Sequence, residues 1–194
     1  LTRISATGDA GQAFRSAAFT VVSINTTTGF VTDDFNLWPD YLKLFIVGIM
    51  MVGGCSGSTS GSFKVIRFII LLKMIMRELK KLVYPRAIFH VKVGDKTIDA
   101  DDLSNVAALT FLFIGFSALG GVLLSAMGVD LTTALSATVA SLFNIGPGLG
   151  NVGAMGNYAE IPALGKGILI IFMLLGRLEI YGVMLLFLPM TWRK

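Results

Sequence analysis

Residues 24–30 read Ile-Asn-Thr-Thr-Thr-Gly-Phe, a short polar turn set between two hydrophobic segments. Before it lies an apolar, helix-like piece, residues 13–23. Past an acidic loop, a longer apolar run begins at Tyr41. Irregular backbone of this kind is costly at membrane depth unless protein or a water-filled cavity surrounds it. One use for it there is to present carbonyl oxygens to a dehydrated cation. The remainder of the chain decides whether that reading stands.

The chain has 194 residues, 54% hydrophobic and only 14% charged, with mean hydropathy +0.76. Soluble domains carry about 25% charged residues, so much of this surface meets lipid or other apolar helices. The 22 glycines fit membrane helices, which tolerate glycine better than soluble ones. Residues 1–12 lack the pattern of a signal peptide. Cys55 is the sole cysteine and His90 the sole histidine, which removes an intrachain disulfide, cysteine metal clusters and most hydrolase triads. No enzyme chemistry and no nucleic-acid partner is expected. Nine of the 16 Lys and Arg residues fall between positions 64 and 96, as in a cytoplasmic loop under the positive-inside rule.

The apolar part of the first segment is about 16 Å long as a helix, too short to cross a bilayer core of ~30 Å. Asp33, Asp34, Trp38 and Asp40 then read as an outer, interfacial loop, solvated or concentrating cations at a mouth. The apolar run of residues 41–52 stops about halfway across the membrane, at a small-residue segment, residues 53–62. It resumes at Phe63 and turns basic before Pro85. Alternation over residues 87–98 around Gly94-Asp95 predicts a small cytoplasmic hairpin. Residues 99–102 offer acidic caps for the next helix. Residues 103–127 carry no charge and are long enough to span with tilt. A second short apolar helix, residues 131–143, ends in Asn144-Ile145-Gly146-Pro147-Gly148, and residues 165–189 form a final span.

The pattern of short helix, glycine-containing turn, outer loop and inward helix thus occurs twice. Each short helix directs its partially negative C-terminal end at its turn, which favours a cation there. Thr26, Thr27, Thr28, Asn144 and Ile145 would supply carbonyls, with Gly29 and Gly146 allowing the backbone angles. The bland alternative is a pair of interfacial loops in helical hairpins. A full-length span precedes the second copy and none precedes the first, so the sequence reads as a fragment. The match of residues 148–153 to GxGxxG is a decoy, since it has no βαβ context and no acidic residue about 20 positions on.

Four motifs in this order, TTTGF at 26–30, GGCSGSTSG at 53–61, NIGPGLG at 144–150 and GRLE at 176–179, resemble those of the Trk/Ktr/HKT superfamily. The resemblance covers essentially the whole chain and is nearest to the bacterial TrkH/TrkG potassium uptake branch. It implies an all-α integral membrane fold of potassium-channel-like helix–pore-helix–helix repeats with re-entrant filter loops, plus the small cytoplasmic hairpin. Residues 1–84 would be a third repeat lacking its outer helix, 85–102 a cytoplasmic hairpin and linker, and 103–194 a fourth repeat. The implied filter is Thr26, Thr27, Thr28, Gly29, Asn144, Ile145, Gly146 and Pro147, with K+ at the carbonyls of Thr27, Thr28, Asn144 and Ile145. Gly53, Gly54, Cys55, Ser56, Gly57, Ser58, Thr59, Ser60 and Gly61 would form an intramembrane gating loop, or simply a glycine kink for close helix crossing. Arg177, near mid-membrane, would raise a barrier in the pore or bond structurally to loop carbonyls. A charge at that depth costs at least ~2.5–3.5 kcal/mol and needs a partner. Glu179 lies too far round the helix for that pairing to be assumed.

The resemblance further implies a homodimer in the lipid of the bacterial inner membrane, crossing it several times. It implies K+ as transported ion, no bound cofactor, and regulation by nucleotide only through a cytoplasmic TrkA-like subunit. Sodium permeation and a non-transporting membrane scaffold are the competing functions.

Overall fold

The computed structural model describes residues 10–54, 58, 63–87, 89–94 and 96–187. Within these the chain is mainly helical: α1 (Ala10–Asn25), α2 (Asp40–Met51), α3 (Val65–Val83), α4 (Ala100–Ala126), α5 (Leu131–Leu142), α6 (Ala163–Arg177) and α7 (Ile180–Phe187). Strand β1 (Val52–Gly53) pairs in parallel with β2 (Phe63–Lys64), and β3 (Val91–Val93) pairs antiparallel with β4 (Lys96–Ile98).

Local chemistry accounts for most boundaries. Asp40 sits in the first turn of α2, and Lys80 and Lys81 in the last turn of α3, each complementing the helix dipole. Pro85 disfavours helical geometry at Tyr84, where α3 ends. The Asp130 carboxylate accepts the Thr132 and Thr133 amides and so caps α5. Asp99 occupies the cap position of α4 without a side-chain bond, so the acidic cap expected there is confined to Asp101 and Asp102 beside the dipole.

Helix α4 has 27 residues, about 40 Å at 1.5 Å per residue. Among the described residues it is the one helix long and apolar enough to cross a membrane. The 12-residue α5 is buried over almost its whole length, with α4, α6 and α2 packed around it. The other short helix is differently placed. α1 buries only Thr20, Ser23 and Ile24 and leaves Phe14 and Val22 exposed. One hydrophobic core nevertheless joins the two halves, with Ile24, Ile46 and Met50 packed against Leu109, Phe143 and Ile145. Phe113 of α4 stacks on Phe143 at 5.0 Å and meets Phe63 edge-on at 5.9 Å.

The helical runs that begin with α2 and with α6 are both interrupted. The first break falls at Met51, where the strand pair bridges Val52 to Phe63 and Gly53 to Lys64. Parallel pairing means that the chain runs in the same direction at Val52–Gly53 and at Phe63–Lys64. The second break was not expected. A single span over 165–189 divides at Leu178, because Glu179 takes φ 57, a left-handed conformation costing roughly 1–2 kcal/mol for a residue with a β-carbon.

Candidate functional site

The two expected ligand turns are built alike. The Thr28 amide donates to the Ser23 carbonyl and the Thr27 amide to that of Ile24; Ile145 donates to Ala140 and Asn144 to Ser141. These are matching Schellman caps, and one residue offset relates every pair, so Thr27 corresponds to Asn144 and Gly29 to Gly146. The left-handed cap position is held by Thr27 at φ 54 and by Asn144 at φ 56. Gly29 and Gly146 follow at φ 76 and 107. The caps draw on carbonyls behind the turns, within the last helical residues.

The turns also meet in space. A β-carbon at Gly29 would run into the Ile145 carbonyl oxygen and lie 3.3 Å from the Pro147 ring. Thr26 and Thr28 share a hydroxyl–hydroxyl hydrogen bond of 2.8 Å, and the Ser23 hydroxyl donates to the Phe30 carbonyl at 2.6 Å. Thr26, Thr28 and Gly146 are exposed, whereas Ile145 is buried. One side of the paired turns is therefore anchored in protein and the other is open.

The second turn has a scaffold of side chains that the sequence did not reveal. Tyr158 donates its phenol to the Gly146 carbonyl at 2.6 Å, and burial pushes that phenol up from its ordinary pKa, keeping it a donor. The Ser136 hydroxyl donates to the Leu149 carbonyl at 3.0 Å and accepts the Leu149 amide at 2.9 Å. Asn36, in the loop before α2, clasps Gly150 across 114 residues. Its amide nitrogen donates to the Gly150 carbonyl at 2.9 Å and its oxygen accepts the Gly150 amide at 3.0 Å. Asn36→Ala is expected to lower stability by about 0.5–1.5 kcal/mol per bond, with the turns otherwise intact. Thermal unfolding of the detergent-solubilised protein checks this, and an unchanged melting temperature removes the clasp.

Arg177 is the last residue of α6 and is exposed. Directly before it, Gly176 lies so close to α5 that a β-carbon there would overlap the Leu142 carbonyl oxygen and come within 2.7 Å of the Asn144 amide nitrogen. Asn144 donates in turn to the Met173 carbonyl at 3.2 Å. Arg177 is thus placed one residue from the contact between α6 and the second turn. Glu179 faces elsewhere. Its carboxylate takes Lys64 at 2.9 Å and Arg67 at 2.9 Å. Of the expected gating residues, Gly53 is buried in the strand pair, Gly54 accepts the Val65 amide at 3.3 Å, and Ser58 is exposed. Cys55, Ser56, Gly57, Thr59, Ser60 and Gly61 lie outside the described residues.

Known proteins match this architecture. The family model described as cation transport protein, TrkH, matches residues 4–194. The Trk system potassium uptake protein TrkH of Halomonas elongata is 45% identical over 185 residues, covering 94% of this chain and 38% of its own length. The TrkH of Escherichia coli K12 is 40% identical over 182 residues, covering 92% of this chain and 36% of its own. The crystal structure of the potassium transporter TrkH from Vibrio parahaemolyticus aligns with a TM-score of 0.90 at 37% identity, over 100% of this chain and 41% of that one. The chain spans less than half the length of these relatives. Its helical architecture is that of the matched part of TrkH, and the chain belongs to the TrkH family of cation transport proteins.

Proposed function

We propose that this chain forms part of a potassium uptake pathway in a bacterial inner membrane, contributing two walls of a carbonyl-lined selectivity filter within a longer Trk-type chain. The observation that carries the reading is the contact between two identically capped turns, with Gly29 against the Ile145 carbonyl. The carbonyls of Thr27, Thr28, Asn144 and Ile145 replace the hydration shell of K+, which is the transported ion and not a cofactor. Residues 1–84 and 103–194 act as the third and fourth repeats, joined by the 85–102 hairpin on the cytoplasmic side. No covalent step occurs.

The gate consists of residues 53–61 together with Arg177, whose charge opposes cation passage below the filter. A homodimer regulated by a cytoplasmic, nucleotide-binding, TrkA-like subunit agrees with the basic stretch over residues 64–96. Rubidium flux through the full-length protein in liposomes tests the function, and flux no higher than in empty vesicles leaves only a scaffold. In the same assay Arg177→Ala, or shortening residues 53–61, is expected to raise flux several-fold. Flux and regulation at wild-type levels in both variants sink the gate assignment. Equal Na+ and K+ permeation would instead favour the sodium-conducting reading.

A further inference from the structure

The two turns share their caps but not the hydroxyl that finishes each of them. In the first turn the Ser23 hydroxyl donates to the Phe30 carbonyl at 2.6 Å. At the offset that pairs Thr27 with Asn144, Ser23 corresponds to Ala140 and Phe30 to Pro147. Alanine has no hydroxyl, so the second turn cannot form that bond from within its own helix. Its hydroxyl comes instead from Tyr158 and falls on the Gly146 carbonyl at 2.6 Å.

The backbone there does little to fix that carbonyl. Pro147 has no N–H, so the peptide joining it to Gly146 can be anchored through its carbonyl alone. The proline ring also fixes φ at Pro147, which leaves the direction of the carbonyl to Gly146. That glycine has φ 107, and its β-carbon position meets nothing within 4 Å. The phenol, by contrast, is firmly placed. Its ring packs against the buried cluster of Ala134, Ala137, Val152 and Ile161, and the Ile161 amide donates to the Tyr158 carbonyl at 3.3 Å.

We propose that Tyr158 is a specificity-determining positioning residue. Its phenol engages the Gly146 carbonyl, leaves the ion to the carbonyls of Asn144 and Ile145, and keeps the Ile145 carbonyl seated against Gly29. This inference rests on the filter reading above. Once the phenol is lost, Gly146 rotates and the neighbouring Ile145 carbonyl leaves its close approach to Gly29. Carbonyls free to shift close on the smaller Na+ more readily than carbonyls held at a fixed spacing.

Competitive uptake of rubidium and sodium into liposomes carrying the full-length protein tests it. Tyr158→Phe keeps the ring and removes the donor. It is expected to lower the rubidium-over-sodium preference about two- to tenfold, the range covered by one net hydrogen bond. Para-aminophenylalanine at position 158 puts an N–H donor at the same place on the ring and should restore the preference. A merely packing role would lower melting temperature or abundance in Tyr158→Phe without moving the preference, and that result overturns the proposal. Where Tyr158→Phe fails to accumulate, para-methoxyphenylalanine takes its place, since its para substituent cannot donate. Equal preference in the amino and methoxy proteins likewise overturns the assignment. Loss of preference in Gly29→Ser with wild-type preference in Tyr158→Phe removes only the tether. Unchanged preference in both Gly29→Ser and Gly146→Ser is a failure of the filter reading itself, whatever Tyr158→Phe does.

Discussion

Gly29→Ser in the full-length protein is expected to reduce the preference for K+ over Na+ by about tenfold or more. Two penalties combine at this position. A side chain at φ 76 costs roughly 1–2 kcal/mol, and its β-carbon would occupy the space held by the Ile145 carbonyl oxygen. The strain is relieved only by moving one turn away from the other, which widens the spacing of the carbonyls that would hold a dehydrated ion. Because each ~1.4 kcal/mol is a factor of ten, even partial relief changes selectivity measurably. Relative uptake of the two ions, corrected for protein abundance, provides the check. Gly146→Ser, where φ is 107 but no atom blocks the β-carbon, should show the weaker effect. Unchanged discrimination in both variants would remove the filter assignment.

Gly176→Val should abolish or severely reduce transport, through packing and not through charge. The β-carbon alone would overlap the Leu142 carbonyl oxygen, and that oxygen belongs to the last turn of α5, which cannot yield without disturbing the Asn144 cap. Helix α6 must shift outward, at a cost of ~1–3 kcal/mol for overpacking. The shift breaks the bond from Asn144 to the Met173 carbonyl. Gly176→Ala should show a milder form of the same defect. Transport per molecule and melting temperature should fall together; normal rates in Gly176→Val would mean that α6 and the second turn are not packed as described.

Much of this arrangement was legible in the residues themselves. The uncharged stretch at 103–127 became α4, and the small-residue segment after Val52 marked the first helix break, because hydropathy and glycine content are local properties. The paired turns were visible as a repeat. Their conformation was not, since left-handed backbone at Thr27 and Asn144 is imposed by the cap and runs against the preference of a β-branched threonine. The break at Leu178 escaped for a related reason. Residues 165–189 read as one continuous span, and the partners that hold Glu179 lie 112 residues away in the case of Arg67. Asn36 and Tyr158 carried no local signal either: an asparagine in an acidic loop and a tyrosine near a proline look like surface residues until the fold brings Gly150 and Gly146 to them.

The strand pair at Val52–Gly53 and Phe63–Lys64 also determines how mechanical load would travel. Because β1 and β2 run in parallel, a pull on α3 along its axis is carried by their pairing. It loads the short ladder in shear, and its few hydrogen bonds resist together and yield together. Tension applied at the Val83 end of α3 therefore meets a threshold and not a graded spring.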